Sequence, residues 1–302
     1  MKKYHDIKGD GGSNILAQVE EQIDRMQARM ASIHNIITVM SGKGGVGKSS
    51  IAVNLASTFA LAGNKVGILD ADINGPSIAK MTGVRNQKLK YENSGTLPVL
   101  SQLNMKIMSM DLFLPDDSSP VLWDAPTQKD SYTWRGMMEA AALREFLSDT
   151  NWGKLDTLFI DLPPGTDKLT NLADVLPKIT GTIIVTIPSA VSQFVVGKSI
   201  KMANEILKTP VIGIIENMSN HVCANCGHEE ELFPAGNVEE FAIKHNISYL
   251  GNIPFDPRIA VCADAGDFFL QKYSDRPAGK SIRQIADKIK VSLYEKTLNL
   301  EN

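Results

Sequence analysis

An α/β fold, built on a doubly wound, mostly parallel sheet with helices on both faces, is what this sequence predicts, and three observations predict it. From Ile36 onward, short apolar runs rich in β-branched residues alternate with longer segments of helical periodicity, the mark of strand–helix units feeding a parallel sheet. The first run, Ile36–Met40, leads into a glycine-rich turn and then a helical stretch. Two later runs, ending at Asp70 and Asp161, close in carboxylates, where ligands collect at the carboxyl ends of such strands.

The elements follow in order. Residues 1–13 are polar and rich in glycine, and are expected to be a disordered tail. Residues 14–35 predict one amphipathic helix, with Ile15, Val19, Ile23, Met26, Met30 and Ile33 on a stripe. Glu20, Glu21 and Asp24 offset Arg25 and Arg29 on its polar face, so packing on the domain or a partner suits it better than an anionic membrane. A single domain is expected over residues 36–300. Its further strands are Lys65–Asp70, Lys106–Met110, Thr157–Asp161, Thr182–Ile187, Val211–Glu216 and Tyr249–Ile253. Helical runs are Met137–Leu147, Val195–Leu207, Val238–Lys244 and Gly279–Leu298. Leu114–Tyr132, rich in Pro, Asp, Ser and Gln, reads as a surface loop or insertion.

Composition narrows the classes. A formal charge of −3 over 302 residues gives no electrostatic reason to expect nucleic acid. No apolar run approaches the roughly 20 residues of a membrane span, and the polar N-terminus has no signal-peptide core. Three cysteines are too few and too unevenly spaced for a disulfide framework. A cytoplasmic protein is the expectation.

Ser41–Ser50 reads Ser-Gly-Lys-Gly-Gly-Val-Gly-Lys-Ser-Ser, and Gly42 to Ser49 fits the phosphate-loop pattern G-x-x-x-x-G-K-Ser/Thr without mismatch. Gly42, Gly44, Gly45 and Gly47 let the backbone curl, with Val46 between them, so that successive N–H groups face phosphate oxygens. Lys48 supplies a cation for the β- and γ-phosphates, and the Ser49 hydroxyl can ligate Mg²⁺. Ile51, Leu55, Phe59 and Ala62 then recur at helical spacing before Gly63, so the phosphates would sit on a helix N-terminus beside Ser50. This is a P-loop NTPase type of nucleotide site. Asp161 reads as the carboxylate behind the Mg²⁺, and Gly165 in Pro163-Pro164-Gly165-Thr166 as a switch N–H that senses a γ-phosphate. The Asn217 amide can both donate to and accept from an adenine edge.

Lys43, one residue after the first glycine, is not needed by an ordinary phosphate loop. With it the sequence resembles the deviant Walker A ATPases, which include MinD, ParA, the nitrogenase iron protein and the Mrp/ApbC carriers. The resemblance implies ATP as nucleotide, a homodimer, and a Lys43 that reaches the partner's phosphates; a second cation there stabilises phosphoryl transfer. It also implies that Asp72 positions the attacking water and that Pro254, in Ile253-Pro254-Phe255-Asp256-Pro257, walls the base. Guanine-specific relatives carry an aspartate where this chain has Asn220, which favours ATP over GTP.

His221–His228 contains Cys223 and Cys226 in a C-x-x-C turn. Two thiolates are half of the four-ligand set that zinc or a [4Fe–4S] cluster takes, and a two-fold dimer supplies the other half. Together with Glu216-Asn217-Met218-Ser219 and Leu232-Phe233, the segment is similar to the signature of the Mrp/ApbC iron–sulfur cluster carrier ATPases. The resemblance runs from about His34 to Pro257 and implies a slow ATPase that passes a labile cluster to apo iron–sulfur clients, with scaffold proteins as donors. Zinc held with His221 and His228, or a redox dithiol, are the other chemistries open to the pair. A MinD/ParA-like positioning switch and an ATP-driven electron-transfer reductase are the other functions. Cys262 lies in a helical run and reads as a small buried residue. The chain departs from the family in the short Thr166-Asp167 junction, in Pro188–Phe194 after the fifth strand, and in the Leu114–Tyr132 insertion.

Overall fold

A computed structural model describes residues 15–116, 131–165, 178–206, 209–222, 226–233 and 237–301, together with the isolated positions 119, 121, 172 and 176. The expected tail, much of the 114–132 insertion, Asp167 and Cys223 lie outside the described residues.

The chain opens with helix α1 (Ile15–Ala31) and passes directly into strand β1 (Ile33–Met40). The predicted helix therefore ends four residues early, and Ile33 belongs to the sheet. The Ser32 hydroxyl bonds back to the Arg29 carbonyl at 2.7 Å and closes the last turn, after which Ile33 pairs with Leu155. Met26 and Met30 are buried against helix α4 (Ser131–Asp149). Arg25 bonds Asp149 at 3.3 Å at the rim of that contact, so α1 packs on its own domain.

Helix α2 (Lys48–Leu61) follows the phosphate loop, then β2 (Val66–Asp70), the short helix α3 (Ile78–Met81) and the small hairpin β3 (Lys90–Glu92) with β4 (Gly95–Leu97). Strands β5 (Val99–Leu100) and β6 (Lys106–Met108) come next, then α4, β7 (Leu155–Asp161) and β8 (Gly181–Thr186). Helix α5 (Ala190–Lys201) widens into a π-turn at Met202–Ile206 before β9 (Val211–Val222) and β10 (Glu229–Glu231). The chain continues with α6 (Val238–Lys244), β11 (Tyr249–Phe255), α7 (Pro257–Ala265), α8 (Phe269–Tyr273) and α9 (Pro277–Glu301).

Nine strands form one sheet in the order β10-β9-β8-β1-β7-β2-β6-β5, with β11 also on β9. All the central pairings are parallel, as the strand–helix alternation predicts. Helices α2, α7, α8 and α9 cover one face and α1, α4, α5 and α6 the other, each over its own apolar cluster. Successive β1 residues divide between the clusters, Ile37 and Val39 to one and Ile36 and Met40 to the other, as a pleated strand requires.

Besides end shifts of a few residues in β1, β2, β7, β8 and β11, two strands differ from expectation near the site. β6 stops at Met108, and Ser109 caps a 3₁₀ turn over Met110–Phe113 by accepting the Asp111 N–H. β9 runs past Asn217 to Val222, because β10 pairs antiparallel with Asn220, His221 and Val222. No helix among the described residues is long and apolar enough to cross a membrane.

Candidate functional site

The central strand β1 ends at Met40, between β7 and β8, and the phosphate loop rises from that end. Gly45 and Gly47 take φ of 82° and 81°, which other residues adopt at a cost near 1–2 kcal/mol, and Gly47 forms the N-cap of α2. The loop floors a cleft of about 250 Å³ that Ser41 and Gly44–Ser50 line, with Asp72, Ser77, Met81 and Pro164 opposite. A curled run of N–H groups at a helix N-terminus, with a lysine beside it, is a polyphosphate site.

At its floor, Lys48 Nζ lies 2.5 Å from Asp161 Oδ1, and the Ser49 hydroxyl donates to Asp161 Oδ2 at 2.5 Å. The side chains of Lys48 and Asp161 are only 6% and 0% exposed. Burial pushes the Asp161 carboxyl up from its ordinary range, while Lys48 and Ser49 pull it back down. A hydroxyl beside a carboxylate is a hard-oxygen donor set of the kind Mg²⁺ takes.

Asp70 stands in register with Asp161 on the neighbouring strand. Its carboxylate accepts from Ser77 N at 2.9 Å, Ile78 N at 3.1 Å, Ser109 Oγ at 3.0 Å and Asp72 N at 3.2 Å. Burial, with the charge of Asp161 second, raises its pKa to about 7 against those bonds. Asp70 thus ties down the segment that presents Asp72, and Asp72 in turn accepts the Gly75 N–H at 3.2 Å. β2 ends at Asp70, so Asp72 reaches the cleft from the loop that follows.

Other predicted residues take these places. Lys43 is exposed and is not among the residues that line the cleft. A Cβ on Gly42 would stand 2.8 Å from Val195 Cγ1, so α5 abuts the loop's entry. The Gly165 N–H donates to the Ser41 carbonyl at 3.1 Å, which fastens the switch segment to the loop. Asn217 is buried, with its amide donating to the Val46 carbonyl at 2.9 Å. Pro254 sits on β11 next to Ile253, the partner of Asn217, and does not line the cleft. Pro164 lines it as part of the switch segment, whereas Ser77 and Met81 line it without having been singled out from the sequence, because the register of Asp70 with Asp161 that brings their segment there is not written in any local pattern.

The C-x-x-C lies in the connection between Val222 and Glu229, the paired ends of β9 and β10. Cys226 is an exposed free thiol in a turn, followed by Gly227 at φ 72°. Cys223 lies outside the described residues, and no group of three metal-binding side chains occurs among the described ones. Cys262 is buried in α7, where burial pushes its thiol pKa up.

Comparison with known proteins agrees with this arrangement. Residues 32–290 match the ParA family profile described as NUBPL iron-transfer P-loop NTPase. A Saccharolobus solfataricus protein named iron-sulfur cluster carrier protein is 42% identical over 279 residues, covering 91% of this chain and 90% of its own length. One of the same name from Escherichia coli is 39% identical over 89% of this chain and 69% of its own. An Archaeoglobus fulgidus nucleotide-binding protein, solved with ADP, superimposes with TM-score 0.70 at 37% identity, over 85% of this chain and 95% of its own. Pyrococcus furiosus MinD shares the fold, with TM-score 0.57 at 18% identity over 85% of this chain and 99% of its own. A doubly wound sheet with a two-lysine phosphate loop at its centre, matched along most of its length, places the chain in the NUBPL/ParA family of iron-transfer P-loop NTPases.

Proposed function

We propose that this chain is an ATP-hydrolysing iron–sulfur cluster carrier, which holds a labile [4Fe–4S] cluster between the two copies of a homodimer and passes it to apo-proteins. One observation carries the reading: β9 joins a polyphosphate cleft, touched by Asn217, to a turn that exposes the thiol of Cys226. The names of the Saccharolobus and Escherichia relatives support the cargo, and the ADP of the Archaeoglobus protein supports the nucleotide.

The loop N–H groups and Lys48 would take the phosphates, and Ser49 with Asp161 would hold Mg²⁺. When bound, that ion neutralises charge that develops on the transferred phosphoryl group. Asp72 would orient the attacking water, and the exposed Lys43 would reach the partner's phosphates across the two-fold axis. Asn217 and Pro254 would flank the adenine. Cys223 and Cys226 from each copy would give the four thiolates a cluster takes, donated by a scaffold protein and accepted by a client.

The test is anaerobic reconstitution with iron and sulfide, with iron, sulfide, zinc and visible absorption measured beside a Cys223→Ala/Cys226→Ala variant. A brown dimer with about four irons, lost in the variant, is the expected outcome. Colourless protein, or zinc held equally well by the variant, removes the cluster from the function.

A further inference from the structure

β9 does not run evenly from the phosphate loop to the cysteine turn. Asn217 pairs with Ile253 and His221 with Phe255 on β11, so four steps along β9 oppose two along its neighbour. Met218 lies within this bulge at φ 56°. That left-handed conformation costs a side chain with a Cβ about 1–2 kcal/mol, and it persists only where surrounding contacts over-determine it.

Those contacts point both ways. Toward the nucleotide site, Asn217 donates to the Val46 carbonyl, and the Met218 Cε lies 3.5 Å from where a Cβ on Gly47 would stand. Toward the cysteines, a polar rung crosses three strands. Asn252 donates to Ser219 Oγ at 3.1 Å, Ser219 donates to Asn220 Oδ1 at 2.9 Å, and Asn220 donates to Glu229 on β10 at 2.9 Å. Beyond it the His221 ring meets Phe255 at 6.3 Å between centroids. Bulges of this kind re-aim the strand that follows them.

We propose that the Met218 bulge is a relay within each subunit, in which Met218 is the positioning residue that transmits the state of the phosphate loop to the cysteine turn. A shift of Gly47 on nucleotide exchange presses on Met218 and Asn217 together. The strained backbone has a second, right-handed basin for Met218, and the rung carries the resulting tilt of Ser219–Val222 into β10. The relay rests on the nucleotide reading above but not on the identity of the cargo.

The test follows the alkylation rate of Cys226 in the full chain, resolved by peptide mass spectrometry, with buried Cys262 as internal control. Rates are compared under saturating Mg-ADP and saturating Mg-AMPPNP, over a range of protein concentrations, with a fluorescent ADP analogue reporting binding in the same samples. Wild type is expected to show a rate ratio of about fivefold or more between the two nucleotides, the lower end of usual coupling energies, independent of protein concentration. Met218→Gly, which accepts the left-handed backbone without strain and cannot reach Gly47, is expected to bring the ratio to about one. Met218→Leu, which keeps bulk and strain, is expected to restore it. Asn252→Ala cuts the rung without touching the loop, and is expected to lower the ratio even if the glycine variant does not fold.

A wild-type ratio near one with nucleotide bound overturns the relay. So does a ratio retained in both Met218→Gly and Asn252→Ala, or one that vanishes on dilution, which assigns the coupling to the dimer. Absence of nucleotide binding sinks the reading of the loop instead.

Discussion

The phosphate loop rises from β1 and the cysteine turn follows β9, whose Asn217 touches the loop, and the two are built in opposite ways. At the loop, Lys48, Asp161 and Asp70 are buried ionisable groups held by hydrogen bonds from distant segments. At the turn Cys226 is exposed, and so are the glutamates of β10, the three-residue strand that follows at the edge of the sheet. Stabilising a phosphoryl group needs charges fixed before the substrate arrives, because reorganising them would consume the gain. The proposed transfer of a cluster to another protein would need the reverse, ligands that a client can reach on an element that opens at little cost. The contrast assigns rigidity to one region and access to the other.

The largest effect is expected from Lys48→Ala. Phosphate release should fall by at least about 10³-fold, and urea unfolding should show a loss of about 3–5 kcal/mol, because Asp161 is left charged and unpaired in the interior. Adding Asp161→Asn should recover much of that stability while turnover stays low. Full stability in the single variant would mean that the loop floor is not held by this pair.

Asp70 gives the loop side a pH signature. Its pKa rises from the ordinary 3.8 to about 7 in the folded state, so the native protein binds the extra proton. The stability it contributes is complete below pH 3.8 and is lost as pH rises through about 7, a change on the order of 4 kcal/mol. In Asp70→Asn the slope of unfolding free energy over that window should flatten; an unchanged slope would place the titration elsewhere.

Two glycines test the contrast directly. Gly47 and Gly227 both have positive φ, but a Cβ on Gly47 would stand 2.3 Å from the Asn217 amide, whereas Gly227 has nothing within 4 Å. Gly227→Ala should cost about 1 kcal/mol, the backbone term alone. Gly47→Ala should cost about 2–3 kcal/mol and weaken ADP binding by calorimetry. Equal costs would mean that Asn217 does not grip the loop. The smallest effect belongs to Cys226→Ala, which should stay within about 0.5 kcal/mol of wild type as an exposed substitution does, yet lose iron on reconstitution. Marked destabilisation would make the turn a structural element.

Much of this was legible in the sequence because the signals are local. Strand, glycine loop and helix are contiguous from Ile36 to Gly63, and β-branched runs mark the buried parallel strands. The misreadings occur where a distant partner overrides local pattern. Ile33 continues the helical stripe, yet it is drawn into the sheet by Leu155. Asn220 and His221 look like loop residues, but β10, a run of three glutamates with no strand signal of its own, pairs with them. The β3–β4 hairpin and β5 carry equally weak signals and have no place in the sequence reading.

By itself, the sequence determined which residues could bind a polyphosphate and which could hold a metal, since motif chemistry depends on residue type and spacing. Tertiary structure alone decided what those residues do to one another. Lys48 meets Asp161 across 113 positions and Asn217 meets Val46 across 171, contacts set by strand order and register. The bulge at Met218 likewise arises from a mismatch between two strands. No local pattern encodes such a mismatch, because register is fixed by the packing of the whole sheet against its two cores.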